Sequence, residues 1–510
     1  MGITSFYFIC FFVAVLVIYY IIPKKMQWCF LLLCSVAYYL LTDNGILILY
    51  PLVSVAVCYL GIRVIAGSDD PGKKKRALIA VIAVNLGILF LLKYINFGIN
   101  TINGIANILG HVTEPPLQGF HLLAPLGVSF YTFSLLGYVI DVYYGIAKPQ
   151  RNLGKLALYG MYFPAMISGP ILKYRECGEQ FFEPHYFDYG QVTRGIQRML
   201  WGFLKKLVIA ERLGVLVDTV YGQYRSYPGA FIWFATVCYA FQLYTDFSGC
   251  MDIVLGLSES LGLSLPENFK TPFFAKSISE YWRRWHITLG VWMKDYVFYP
   301  LLRSRFFTGL NKSWKKRFGK KRGKQYTNFA AMFLLWFTVG VWHGGDWKYV
   351  IGSGLLHWFY IVMEELLEEP CGRAMEVLHI NREGRVIAGI RMLRTFFLVC
   401  IGDLFFRAKS VGSAFRLLKK SVSIWNPNVL WNGSLLTLGL DSVEFCITAV
   451  SLLLLLFVSL MQQKGSVREM IGKRVLPVRW LIWYALLFYV ILFGCYGPEY
   501  SAAEFIYQGF

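Results

Sequence analysis

Stretches apolar enough to lie in a bilayer recur from one end of this chain to the other, and the basic residues between them keep to particular connections. That pattern selects an all-α membrane bundle, because helices bond their backbone polar groups internally where no water can. The first stretches fall near residues 4–22, 28–41, 46–66, 77–94 and 122–144. Lys24 and Lys25 follow the first, Lys73, Lys74, Lys75 and Arg76 the third, and Lys148, Arg151 and Lys155 the fifth. The connections 42–45 and 96–121 hold neither Lys nor Arg, so the positive-inside rule puts the N-terminus outside.

Of 510 residues 56% are hydrophobic and 16% charged, which marks a multi-pass protein surrounded by membrane lipid in the cell membrane. About ten to twelve spans are expected, with further ones near 390–406, 442–461 and 480–495. They read as one membrane-embedded domain over 1–510, with N-terminal spans in 1–124 and C-terminal spans in 388–510. The formal charge of +20 sits in short runs between spans, as topology demands, and nucleic acid is excluded as a partner. Lys464, Arg468, Lys473, Arg474 and Arg479 place the connection before the last span in the cytoplasm, while basic residues on both sides of 390–406 leave its direction open.

Eleven cysteines without CxxC spacing indicate neither a metal site nor a disulfide framework. The opening MGITSF lacks the basic start of a cleavable signal, so the first span is expected to be retained. His111 and His121 bound a connection containing Glu114, Pro115 and Pro116 and read as surface residues.

Three interior stretches depart from simple spans. Residues 156–173 are punctuated by Pro164, Gly169 and Pro170, which predicts a re-entrant segment, tolerated at membrane depth only when buried in protein or lining a cavity. Residues 194–212 interleave Arg194, Arg198, Lys205 and Arg212 with apolar side chains and predict a helix along the cytoplasmic interface or entering at a slant. Residues 231–263 form a span carrying Tyr244, Asp246, Ser248 and Asp252, whose aspartates must face a cavity or a basic partner.

The sharpest signal is at residues 328–341, NFAAMFLLWFTVGV, running into Trp342, His343, Gly344, Gly345, Asp346 and Trp347. On a helix His343 lies fifteen residues beyond Asn328, about 22 Å along the axis, inside the bilayer or near its far face. An imidazole there is either neutral and bonded to a neighbouring helix or part of a site. Two glycines open space and end the helix, and Trp342 and Trp347 bring indole N–H donors, which favours a site. Asp346 reads as a loop carboxylate, and His357, on a returning helix, as a packing residue.

A second signal comprises Pro266, Glu267, Asn268 and Phe269, followed by SEYWRRWHITLGVW at 279–292. Ser279 is the candidate N-cap, and on a continuous helix Trp282, Trp285 and His286 share one side while Arg283 and Arg284 project elsewhere. An interfacial belt of Trp and Arg is the alternative.

The motifs YTDFSGCMD, PENF, SISEYWRRWHITLGVWMKDYVFYPL, VWHGGDW and the terminal EFIYQGF resemble the membrane-bound O-acyltransferases, in the bacterial branch that includes alginate O-acetyltransferase. The likeness covers residues 125–360, with a weaker echo in LFFRAKSVGSAF at 404–415. It implies a bundle around a central tunnel, open to an acyl donor on the cytoplasmic side and an acceptor outside. It also implies that His343 is the residue most tied to activity and His286 its companion. Asn268, Asp246, Ser248, Trp282, Arg283, Arg284, Trp285, Trp342 and Gly344 become candidates for the donor path.

The chemistry agrees. Acyl transfer from a thioester to an alcohol removes a hydroxyl proton, and an imidazole of ordinary pKa near 6.5 suits that task. The amides of Gly344 and Gly345, or the indoles of Trp342 and Trp347, are candidate oxyanion donors. The run KKRFGKKRGK at 315–324 sets topology and also suits the phosphates of coenzyme A. The expected protein is an O-acyltransferase, using acetyl-CoA or another acyl thioester and no bound cofactor. It serves O-acetylation of an exported or cell-wall polysaccharide together with an extracytoplasmic acyltransferase partner. D-Alanyl transfer to teichoic acid from an acyl-carrier donor, or non-enzymatic transport of glycan or lipid, are the alternatives.

Overall fold

The computed structural model describes residues 2–42, 45–110, 117–120 and 122–496, and every regular element among them is helical. His111, His121, Glu114, Pro115, Pro116 and the terminal EFIYQGF motif lie outside the described residues. Among the described residues five helices are long and apolar enough to cross a membrane: Gly45–Gly67, Pro71–Ile108, Trp347–Val377, Ser442–Gln462 and Leu476–Phe493. Phe6–Ile21 and Val128–Tyr143 are apolar but shorter. The chain divides into two compact units, one built from Met1–Phe203 and Gly249–Glu267, the other from Leu204–Ser248 and Asn268–Tyr496.

In the first unit the helix starts are local events. Ser5 accepts the amide of Phe8 to cap Phe6–Ile21, and Asp70 followed by Pro71 opens Pro71–Leu89. Leu49–Gly67 packs closely on Pro71–Leu89, since a Cβ on Gly61 would lie 2.2 Å from Val81 Cγ2. The fourth span does not stop at Tyr94. A π turn at Phe90–Tyr94 carries it into Ile95–Ile108, so half of the expected connection 96–121 is helical. Asn96 and Asn103 on that extension hydrogen-bond both amide and carbonyl of Phe120 and Leu117.

The predicted re-entrant stretch is two short helices, Leu153–Met161 and Phe163–Ser168, broken at Tyr162 and again at Gly169. Backbone groups released by the breaks find partners: Phe163 N donates to Ser35 Oγ, Leu172 N to Ser134 Oγ, and Tyr159 Oη to the Leu172 carbonyl. Val128–Tyr143, almost wholly buried, approaches so closely that a Cβ on Gly127 would lie 2.3 Å from the Met166 carbonyl oxygen.

Asp252 has the basic partner its setting demanded. Arg198 Nε donates to Asp252 at 2.9 Å while its two terminal nitrogens grip Glu267 at 2.7 and 2.6 Å. That bidentate geometry is the strong form of an Arg–carboxylate pair.

In the second unit, Arg305–Phe318 ends at Gly319 in a left-handed turn (φ +82°) and Lys320–Gly344 begins at once, so the densest basic run is the bend of a helical hairpin. Small residues bring the next crossing close: a Cβ on Gly340 would meet Val350 Cα at 2.6 Å, and one on Gly354 would meet the Trp336 carbonyl at 2.5 Å. The acidic 364–369 run is helical, and Leu356–Val377 continues through Pro370.

Lys205, Lys206 and Arg212 are buried, which decides against a helix lying along the interface. Leu204–Ala210 forms a π turn leading into Glu211–Gly222, and the Leu207 carbonyl accepts the amide of Cys495. Lys206 Nζ lies 2.5 Å from Asp246 Oδ1 and 3.1 Å from Glu211 Oε1, and Lys205 Nζ donates to Ser248 Oγ at 2.9 Å. Cations inside an apolar helix persist because Glu211 on the next turn and Asp246 and Ser248 on the helix Gly229–Ser260 meet them.

Candidate active site

All of the site's histidines belong to the second unit. His343 is buried on the last turn of Lys320–Gly344, and Gly345, at φ +56°, ends that helix. The helix end is locked from outside: a Cβ on Gly344 would stand 2.4 Å from the Tyr349 ring. Asp346 does not act as a free loop carboxylate. It caps the following turn by accepting the amide of Lys348 at 2.8 Å. Gly345 N–H is bonded to the Val341 carbonyl, and Gly344 is itself helical. The glycine amides are therefore spent inside the helix, which removes that of Gly345 from the oxyanion candidates.

The second motif does not form one helix. Ile278–Arg284 is capped by Ser277, two residues before the expected Ser279, through the amide of Glu280. It ends at Trp285, which is extended, and His286 adopts a left-handed backbone (φ +45°, ψ +51°) before Ile287–Met293 begins. For a residue with a Cβ that conformation costs about 1–2 kcal/mol, so something must impose it. The PENF segment does. Lys270 N donates to the Arg284 carbonyl and Ile287 N to the Asn268 carbonyl, binding the chain on both sides of the kink.

The break separates residues expected to share a side. Trp282 packs edge-on against Trp336 and His357, centroids 4.9 and 5.0 Å away, while Trp285 stacks on Tyr281 and meets Phe269 at 5.1 Å. His286 stands edge-on to Phe247 at 4.9 Å and faces Trp342 at 5.6 Å. Arg283 is exposed, and Arg284 pairs with Glu280 at 2.6 Å. His357 keeps its packing role in a ring-lined slot, where its Nε2 would lie 2.8 Å from a Cβ on Gly402.

Trp342 joins the two motifs. Its ring lies 5.6 Å from that of His286 and 5.0 Å from that of His343, so both imidazoles border one indole. His343 is closed on another side by Phe406 at 5.6 Å, which also packs on Tyr349 at 4.8 Å. Phe406 was not singled out as a site residue, although the LFFRAKSVGSAF echo that contains it was the available signal. Lys348 Nζ, donating to the Ala408 carbonyl at 2.8 Å, ties the same echo to the WHGGDW turn. Asp246 and Ser248 are engaged by Lys206 and Lys205, from the stretch expected to lie along the interface or to enter at a slant. Among the described residues no group of three or more His, Cys, Asp and Glu side chains is placed to hold a metal.

Both imidazoles are buried against aromatic rings, and an imidazole is a group that can accept or give up a proton. Known proteins carry the same stretch. The model of the membrane-bound O-acyltransferase family matches residues 150–406, which contains both histidines and closes at Phe406. The protein named probable alginate O-acetylase AlgI in Pseudomonas aeruginosa is 32% identical over 407 residues, covering 80% of this chain and 72% of that one. The peptidoglycan O-acetyltransferase of Helicobacter pylori is 28% identical over 70% of this chain and 66% of its own. The teichoic acid D-alanyltransferase of Bacillus subtilis is 29% identical over 58% of this chain and 72% of its own. With half the chain inside the family model and the first of these relatives matched over most of its length, the protein belongs to the membrane-bound O-acyltransferase family and is an O-acyltransferase.

Proposed function

We propose that this protein takes an acetyl group from a cytoplasmic thioester, with acetyl-CoA as donor, and delivers it at the outer face for O-acetylation of a polysaccharide by a separate extracytoplasmic acyltransferase. The observation that carries the reading is the placing of His343 at one end of Lys320–Gly344 with the Lys315, Lys316, Arg317, Lys320, Lys321 and Arg322 cluster at the other. Twenty-three residues of helix separate Lys320 from His343, about 35 Å. A pantetheine arm can reach into such a protein, whereas a polymer must approach from the opposite mouth. In this reading His343 accepts the hydroxyl proton, His286 positions the donor, and the Trp342 indole N–H is the oxyanion donor placed beside both rings. Trp282, Arg283, Arg284, Trp285, Asn268, Asp246, Ser248 and Gly344 line or support the donor path.

Relatives named for alginate and peptidoglycan acetylation support acetyl and polysaccharide. D-Alanyl transfer is the second reading, carried by the teichoic acid D-alanyltransferases, whose likeness spans less of this chain. Purified protein in sealed vesicles, supplied with labelled acetyl-CoA on the basic side and polymer on the other, is expected to label polymer only when the secreted partner is added. Full labelling without a partner would overturn the relay, and labelling only from a D-alanyl carrier donor would replace acetyl-CoA.

The orientation, with the N-terminus outside, has its own test. On a cysteine-depleted background, single cysteines at positions 74 and 320 are expected to resist an impermeant maleimide added from outside. Strong labelling there would reverse the side from which the donor enters.

A further inference from the structure

We infer that Asn268 is a positioning residue that fixes the tautomer of His286, holding the proton on Nδ1 and leaving the basic lone pair on Nε2. This rests on the reading of His286 as part of the acyl-transfer site. The starting point is the kink. His286 occupies the N-cap position of Ile287–Met293 but offers no side-chain cap, so the first turn of that helix needs an acceptor from elsewhere. Asn268, completely buried, supplies it: its Oδ1 accepts the amide of Thr288 at 3.0 Å and the Thr288 hydroxyl at 3.0 Å.

A backbone N–H can bond only to an acceptor, so the contact with Thr288 settles which end of the carboxamide points there: the oxygen, and not the NH2. The same Oδ1 lies 3.3 Å from His286 Nδ1. Facing a carbonyl oxygen, Nδ1 must be the protonated nitrogen. In a neutral imidazole the other nitrogen is then the acceptor. The left-handed backbone is what brings Nδ1 to this point, and the bonds from Ile287 N and Lys270 N hold it there.

The consequence is chemical. Neutral His286 receives the N–H or O–H of a substrate at Nε2 and does not polarise a thioester carbonyl. Its ligand is therefore an amide N–H of the donor's arm or the hydroxyl of the acceptor, and the oxyanion must be met by another group.

The test uses the full-length protein in lipid nanodiscs with 15N-labelled histidine, the His286 signals being assigned by their loss in His286→Asn. Asparagine tolerates left-handed backbone, so that variant keeps the fold. Wild-type His286 is expected to give a protonated Nδ1 and an unprotonated Nε2. Asn268→Leu is expected to shift the population toward Nε2–H and to lower acyl transfer at least tenfold, whereas Asn268→Asp, which keeps an acceptor, retains the Nδ1–H form. As a stability control, Asn152→Ala removes an ordinary N-cap of the Leu153–Met161 helix and leaves tautomer and rate unchanged. An Nε2–H tautomer in the wild type overturns the inference outright. So does a folded Asn268→Leu protein with wild-type signals. If Asn268→Leu does not fold, the wild-type and Asn268→Asp spectra decide. Full activity in His286→Asn with an Nδ1–H wild type would reject the site reading and leave the positioning intact.

Discussion

Replacing His343 with alanine is expected to abolish acyl transfer, a loss of about 10²–10⁴-fold for a general base, while the protein still inserts and purifies. The expectation follows from where the ring sits. It is buried at a helix end held by contact with Tyr349, bordered by Trp342 and Phe406, and it shares the Trp342 indole with the imidazole of His286. Truncation also leaves a cavity among aromatic rings, so His343→Gln is the paired variant: it keeps most of the volume and loses the basic nitrogen. Product acylation and detergent melting temperature should be measured on both. A drop in activity shared by both variants with melting near wild type is the expected pattern, and wild-type turnover in either one sinks the catalytic role. His286→Ala should be damaging but less complete, because in the proposed scheme that ring positions the donor and does not take the hydroxyl proton.

The second large effect concerns stability. Lys206→Met is expected to cost about 3–5 kcal/mol, the usual penalty for removing one partner of a buried ion pair. Here the methionine strands two carboxylates, Asp246 and Glu211, both held by the same ammonium. Asp246→Asn should cost much less, since Glu211 remains to pair with Lys206 and the new amide can still accept from it. The double variant Lys206→Met with Asp246→Asn should recover part of the loss, because one stranded charge goes. Thermal unfolding of the four proteins in one detergent gives the cycle. Equal losses for the two single variants would falsify the account of Lys206 as the shared counter-ion.

Much of the architecture was legible before any coordinates. Apolar runs of span length and the basic connections are local, and local chemistry is written in consecutive residues. The motif around His343 stood out for the same reason, since an imidazole beside glycines and indoles at membrane depth is odd on any helix, whereas the motif around His286 read equally well as an interfacial belt. Part of what surrounds the two imidazoles was not legible, because its reasons are distant in sequence. Nothing in SEYWRRWHITLGVW foretells a break at Trp285; it exists because the Asn268 and Lys270 backbone bonds to either side of it. Nothing local distinguishes Lys205 and Lys206 from interfacial lysines, for their partners Ser248 and Asp246 arrive on a later helix. Phe406 meets His343 only after the chain has crossed and returned. Composition and spacing thus determined the class, the helices and the two imidazoles, whereas tertiary packing alone decided the kink at His286, its hydrogen-bond partner and the aromatic walls. Those depend on long-range hydrogen bonds and ring contacts that no window of consecutive residues contains.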